Sequence, residues 1–243
     1  MQKRTGRIIN NSENIFILFA PQHLVAIGII LLITIGLPWS VKRFATPSTE
    51  FRIRIMLAAF LWIQEASIWI YRLANGIFTL QDNLPLHLCG FSALLLPILL
   101  YTKRPFLYQV MYFWGIGGAT QALLTPSLSV GFPHYLFIQF FLGHGSIIIA
   151  VIYATVIFNY KPSFSGLIRT FSITAALMIP IGIINWLIGS NYFFIAHKPS
   201  TASLLDFMGP WPYYLIPLIG TGFVIFLISY IPFPVFQYLK NRR

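Results

Sequence analysis

From Phe19 to Trp39 the chain runs for 21 residues without an Asp, Glu, Lys or Arg. A stretch that long and that apolar matches the roughly 30 Å hydrocarbon core of a bilayer when it is helical. Comparable runs recur at about 55–72, 85–101, 106–124, 134–158, 167–188 and 211–231. The pattern predicts an all-α, polytopic membrane helix bundle of about seven transmembrane helices, forming a single integral membrane domain over residues 1–243. Composition agrees. Only 9% of the residues are charged and 57% are hydrophobic, with mean hydropathy +0.77. A soluble domain carries about 25% charged residues, so lipid must be the main solvent.

The net charge of +11 is scattered through short connections and forms no continuous basic face, which excludes a nucleic-acid partner. With an odd number of crossings the termini lie on opposite sides. The side holding the C-terminus then carries 11 of the 16 Lys and Arg residues, among them Lys42, Arg43, Arg52, Arg54, Lys103, Arg104, Lys161 and Arg169. The other side carries five: Lys3, Arg4, Arg7, Arg72 and Lys198. The excess of positive charge predicts a cytoplasmic C-terminus and an outer N-terminus, in a bacterial cytoplasmic membrane. Lys42 to Arg54 reads as a basic connection, Pro85 as the first turn of the third helix, and Pro180 as a bend in the sixth. The first apolar run starts late and lacks a small-residue cleavage site, so no cleavable signal peptide is expected.

Polar residues inside such runs are costly and call for a reason. On this topology most fall in the outer half. Gln22 and His23 open the first helix, Gln121 and Thr125 close the fourth, and His134 opens the fifth with Gln139 beyond it. Asn185 lies near the outer end of the sixth helix. His144 is about 15 Å into the fifth helix, and Glu65 is about 10 Å below the outer end of the second. The inner half holds one main exception, Gln109. The economical expectation is a shared polar cavity open to the outer face, with Glu65, Gln121, His134, Asn185 and the loop residue Asp206 as binding groups. Interhelical hydrogen bonding is the plainer account of any one of the uncharged groups. Glu65 is too far from Arg72 for direct contact, so a histidine from another helix is the expected partner. The glycines Gly115, Gly117, Gly118, Gly143 and Gly145 suit close packing between helices.

The chain has one cysteine, Cys89, which excludes an internal disulfide and a multi-cysteine metal site. A cysteine in an apolar helix is ordinarily a small buried hydrophobe. Here it stands near a helix start, where the dipole favours thiolate, and near an interface that water reaches. A thiolate beside a histidine attacks esters and holds an acyl group. His87 is two residues away, about 200° around a straight helix, so His144 or His134 is the better-placed base. His87, His134, His144 and Glu65 lack the paired spacing of a metal site; no metal and no cofactor are expected.

Several motifs carry a resemblance. They are Leu84-Pro85-Leu86-His87-Leu88-Cys89, Tyr112-Phe113-Trp114-Gly115-Ile116-Gly117-Gly118, Gln121-Ala122-Leu123-Leu124-Thr125-Pro126, Gly131-Phe132-Pro133-His134 and Gly143-His144-Gly145. Asn185-Trp186, Gly189-Ser190-Asn191-Tyr192, Ala202-Ser203-Leu204-Leu205-Asp206 and Gly209-Pro210-Trp211-Pro212 extend it. Over about Pro21 to Phe233 the chain resembles the YwaF-type bacterial integral membrane proteins, related to animal transmembrane protein 164. That resemblance implies a multi-pass bundle. It also implies a phospholipid acyltransferase in the animal relative, whose His-x-Cys stretch matches His87 and Cys89. Two readings are open. One is a cysteine-dependent acyltransferase or lipid hydrolase acting on a phospholipid or lysophospholipid, with Cys89, His144 and His87 catalytic and Asn185 or Gln121 steadying an oxyanion. The other is a transporter or receptor that binds a small solute or lipid. Membrane lipids are partners in either case, and oligomeric state is left open.

Overall fold

The computed structural model describes residues 15–198 and 204–241. Lys3, Arg4, Arg7, Ser200, Thr201, Ala202, Ser203, Arg242 and Arg243 lie outside the described residues. Among the described residues nine α-helices succeed one another: α1 Pro21–Phe44, α2 Pro47–Ala74, α3 Leu88–Thr102, α4 Pro105–Trp114, α5 Thr120–Leu124, α6 Tyr135–Ile157, α7 Phe164–Ile188, α8 Leu215–Tyr230 and α9 Pro232–Asn241. A π-helical turn, Gly115–Ala119, joins α4 to α5. Short 3-10 turns occupy Tyr192–Phe194 and Leu204–Met208. Among the described residues the one extended pairing is an isolated bridge from Ile15 to Val130. Five segments are long and apolar enough to cross a membrane: α1, α2, α6, α7 and Leu215–Lys240. The shorter α3 and the α4–π–α5 run supply further apolar helix, so the chain is a polytopic helical bundle.

Three boundaries differ from the sequence expectation, and the helix that holds Pro180 is continuous through it. Lys42 to Arg54 is not a loop. α1 runs to Phe44, and α2 starts at Pro47 with Thr46 as its cap, the Thr46 side chain accepting from the Thr49 N–H at 3.3 Å. A threonine cap followed by proline is a strong helix start, and it outweighs the run of charges. Helix α3 begins at Leu88, with Pro85 in the turn ahead of it. The last helix starts at Leu215 rather than 211, and helical backbone continues through Pro232 to Asn241.

Helix α6 is the axis of the bundle. It is 56% buried over its apolar window, against 11% for α7 and 6% for the last span, and it packs against α1, α2, α3 and the π turn. Leu61, Leu96, Leu99, Met111, Phe113, Ala150 and Leu167 meet in the main core. Gly115 lets the π turn touch α6 directly: a Cβ there would lie 2.7 Å from Val151 and 3.1 Å from Ile147. Without a strong hydrophobic drive between helices in lipid, such close backbone approach supplies much of the packing energy.

Candidate functional site

At the end of the bundle away from the basic connections, the end the sequence expectation places outside, the helices are tied by polar bonds, and these bonds position the stretch that leads into Cys89. Asn185, buried near the end of α7, donates to the Tyr192 carbonyl at 2.9 Å and accepts from the Tyr192 N–H at 2.8 Å and the Ser190 hydroxyl at 2.7 Å. Tyr192 in turn donates its phenol to the Leu80 carbonyl at 2.7 Å and accepts from the Leu84 N–H at 2.8 Å. The 189–194 turn is thereby clasped to the 80–87 connection, which carries His87. The His87 ring packs against Tyr192 and Phe194, with centroids 5.3 and 5.2 Å away. Its Nδ1 accepts the Phe193 N–H at 3.4 Å, so Nε2 carries the ring proton. Burial lowers the imidazole of His87, which stands ahead of α3, to about 4, leaving it neutral near pH 7.

His87 is the N-cap residue of α3 in extended backbone, φ −84° and ψ 159°. Helical spacing therefore does not fix its direction relative to Cys89, and the 200° separation expected from the sequence does not hold. Cys89 is half-buried in the first turn, a free thiol without a hydrogen bond among the described residues. Its Sγ lies 3.3 Å from where a Cβ on Gly118 would stand. Gly118 is three residues farther along than Gly115, and α6 runs antiparallel to this span, so Gly118 faces the stretch of α6 just ahead of Ile147, toward His144. On the other side of α6, a Cβ on Gly143 would meet the Gln64 Oε1 at 2.9 Å, which brings α2 and Glu65 to the same depth. The helices thus place Glu65, Cys89, Gly118 and His144 at one level.

His144 is held by its own helix: Nδ1 bonds the Phe140 carbonyl at 2.9 Å and the ring packs, tilted, against Phe140 with centroids 4.2 Å apart. A carbonyl only accepts, so Nδ1 is the protonated nitrogen and Nε2 keeps a free lone pair. That is the tautomer a general base requires. The expected histidine partner of Glu65 is not found among the described residues; the groups that bear on its carboxylate are Trp69 and Arg72 of the same helix.

Other expected site residues are committed elsewhere. His134 caps α6, its Nδ1 accepting from the Leu136 N–H at 3.1 Å. Gln22 accepts from the Phe132 N–H at 2.8 Å. His23, fully buried, bonds the Leu123 carbonyl at 2.8 Å and accepts from the Phe19 N–H at 3.0 Å. Gln139 donates to Gln64 at 3.2 Å. Gln121 is exposed, because the π turn adds a residue and rotates the next helical turn by about 100°. Asp206 lies in the 204–208 turn, where its carbonyl accepts from Lys198 at 3.3 Å. The outer polar residues therefore mostly bind backbone and one another instead of lining a shared hollow. Two cavities, of about 180 and 310 Å³, lie at the opposite, basic end. Among the described residues no three His, Cys, Asp or Glu side chains gather as a metal site.

Sequence reasoning missed one polar cluster. Arg54 pairs with Glu50 at 3.0 Å, and Glu50 also accepts from the Tyr153 hydroxyl at 3.1 Å. The Glu50/Arg54 spacing of four on a capped helix was the available signal.

Residues 18–230 match the TMEM164 family. The chain belongs to that family. An uncharacterized protein of Treponema pallidum (strain Nichols) is similar to this TMEM164-family chain, 22% identical over 233 residues that cover 94% of each. No solved structure matches it.

The clasp yields a direct prediction. Asn185→Ala removes three hydrogen bonds at a buried position and should destabilise the protein by about 2–3 kcal/mol. Hydrogen exchange should rise first at residues 189–194 and in the 80–87 connection. Unchanged exchange there would show that Tyr192 holds the two segments without Asn185.

Proposed function

We propose that this protein is a membrane-embedded acyl-transfer enzyme that carries an acyl group from a phospholipid on Cys89. The observation that supports the reading is the common level of Cys89, the free Nε2 of His144 and Glu65. In the proposed step His144 Nε2 takes the thiol proton while Sγ attacks the ester carbonyl. The C–O bond then breaks, the lysolipid alkoxide recovers the proton from His144, and a thioester remains. A lysophospholipid hydroxyl, or water, attacks that thioester and restores the thiol. His87 presents an Nε2–H, and the first turn of α3 presents N–H groups, as donors to the oxyanion. They take the part that Asn185 and Gln121 cannot, one being committed to Tyr192 and the other exposed. The setting is a bacterial cytoplasmic membrane with the basic end inward. A solute-binding or transport role draws less support, since the outer polar groups are largely spent on structural bonds.

The chain has a single cysteine, which makes the test unambiguous. Protein reconstituted with a phospholipid bearing an alkynyl acyl chain should acquire a hydroxylamine-labile label. Cys89→Ala should abolish it, and His144→Gln should slow its appearance by about 10²-fold or more. Wild-type protein that never acquires the label, or Cys89→Ala protein that still does, would overturn the reading.

A further inference from the structure

His23, fully buried at the start of α1, joins three parts of the chain. Its Nε2 bonds the Leu123 carbonyl at the end of α5, and its Nδ1 accepts the Phe19 N–H. A carbonyl only accepts and an N–H only donates, so the ring is the neutral tautomer with its proton on Nε2. The rings of Phe16, Phe19 and, from α6, Phe141 enclose it, with centroids 5.3, 5.6 and 5.6 Å away. Residues 15–20 form a strap across the connection between α5 and α6. Ile15 bridges to Val130, and the Phe16 N–H donates to the Ser129 carbonyl at 3.4 Å. Gln22 donates to the Ile15 carbonyl at 3.4 Å while accepting from Phe132. Phe19 is held in left-handed backbone, φ 59°, where the Cβ of an L-residue crowds the following carbonyl. The strap is closed against that local strain, and the bond to His23 holds the strained residue.

A second proton on the ring would sit on Nδ1, turn that acceptor into a donor and set it against the Phe19 N–H. Nothing on the surrounding elements compensates. Residues 15–41 and 105–160 supply the strap, α1 as far as Val41, α5 and α6, and they contain no Asp, Glu, Lys or Arg. Their titratable groups are tyrosines, none of which meets the ring among the described residues, and two histidines. His144 gives its Nδ1 proton to the Phe140 carbonyl, a bond that a proton on Nε2 leaves intact. His134 accepts the Leu136 N–H with Nδ1 and is the competing group at this end. A buried imidazolium with no carboxylate beside it is costly. We propose that His23 is an acid-released latch: neutral, it pins the strap and the end of α5 to α6; protonated, it frees both. α5 follows directly on the π turn whose Gly118 lies against Cys89, so release loosens that side of the cysteine. The latch does not depend on what Cys89 does.

The test is hydrogen exchange of the full-length protein in detergent micelles at about pH 8 and about pH 5, the range over which imidazoles change charge. Each amide's rate is divided by its intrinsic rate at that pH. Residues 15–24 and 120–132 should lose about tenfold or more in protection in acid and regain it when the pH is restored. Residues 96–100 of α3 and 147–154 of α6, in the main core, should keep theirs. His23→Asn retains an acceptor for the Phe19 N–H but takes up no proton in this range, so its strap should be protected equally at both pH values. His134→Asn should open in acid as the wild type does. The wild-type comparison needs no variant, so a His23→Asn chain that fails to fold leaves the test standing. Undiminished wild-type protection in acid, an acid response that survives in His23→Asn, or one that disappears in His134→Asn would overturn the proposal.

Discussion

Arg54→Ala should cost the fold about 3–5 kcal/mol, lowering the unfolding temperature in detergent more than any other single change at the basic end. Arg54 is only 7% exposed, and its Nε holds Glu50 at 3.0 Å. Nη1 donates to the Leu100 carbonyl and, at 3.3 Å, to the Tyr101 carbonyl, closing the last turn of α3 onto α2. The rings of Phe51 and Phe158 stand 5.2 and 5.8 Å from the guanidinium carbon and keep water away. Truncating Arg54 therefore leaves a half-sheltered Glu50 without its cation and two carbonyls without a donor. Removing both charges is a different matter. Glu50→Leu with Arg54→Met discards the desolvation penalty along with the attraction, and the double variant should recover most of the loss. Equal stability of Arg54→Ala and wild type would mean that water satisfies the pair.

Gly90→Ala should cost about 3 kcal/mol or more and disorganise the start of α3. The added Cβ would stand 2.7–2.8 Å from Cα, C and O of Pro85. These are backbone atoms, so no rotamer change relieves the clash. Either the 84–87 turn or the first turn of α3 must move, and both position His87 and Cys89. Reaction of Cys89 with a membrane-permeant maleimide should accelerate as the thiol leaves Gly118. Gly28 is the control: nothing lies within 4 Å of a Cβ there, so Gly28→Ala should be neutral or stabilising by roughly 0.4–1 kcal/mol. If the two alanines behaved alike, the contact between Pro85 and Gly90 would carry no constraint.

Helix content was legible because apolar runs of membrane length have few other uses. The misreading of Lys42 to Arg54 came from weighting charge above capping. Thr46-Pro47 announces a helix start, yet Lys42, Arg43, Arg52 and Arg54 suggested a loop. In the fold Arg54 turns inward, because Glu50 and two α3 carbonyls await it. Counting residues from helix ends sets the depth of Glu65 and His144, but not that of Cys89, because the short α3 begins at Leu88, well inside the ends of its longer neighbours. Their partners were not legible. Histidines such as His23 and His134 bond backbone atoms, and the backbone is the part of a fold that side-chain patterns describe least. Gln121 escaped for a further reason: nothing in Gly115-Ile116-Gly117-Gly118 distinguishes a π turn from ordinary helix.

That same turn makes the fourth crossing a swivel. The inner part is keyed to its neighbours by Tyr108, whose hydroxyl meets Thr155 at 3.0 Å, and by Trp114, which donates to Thr174 at 2.8 Å. The outer part is keyed through Leu123 to His23. With one surplus residue between them, the two parts keep separate azimuths, so a single-residue deletion within 115–119 would force one key out of its lock while leaving the hydropathy of the span almost unaltered.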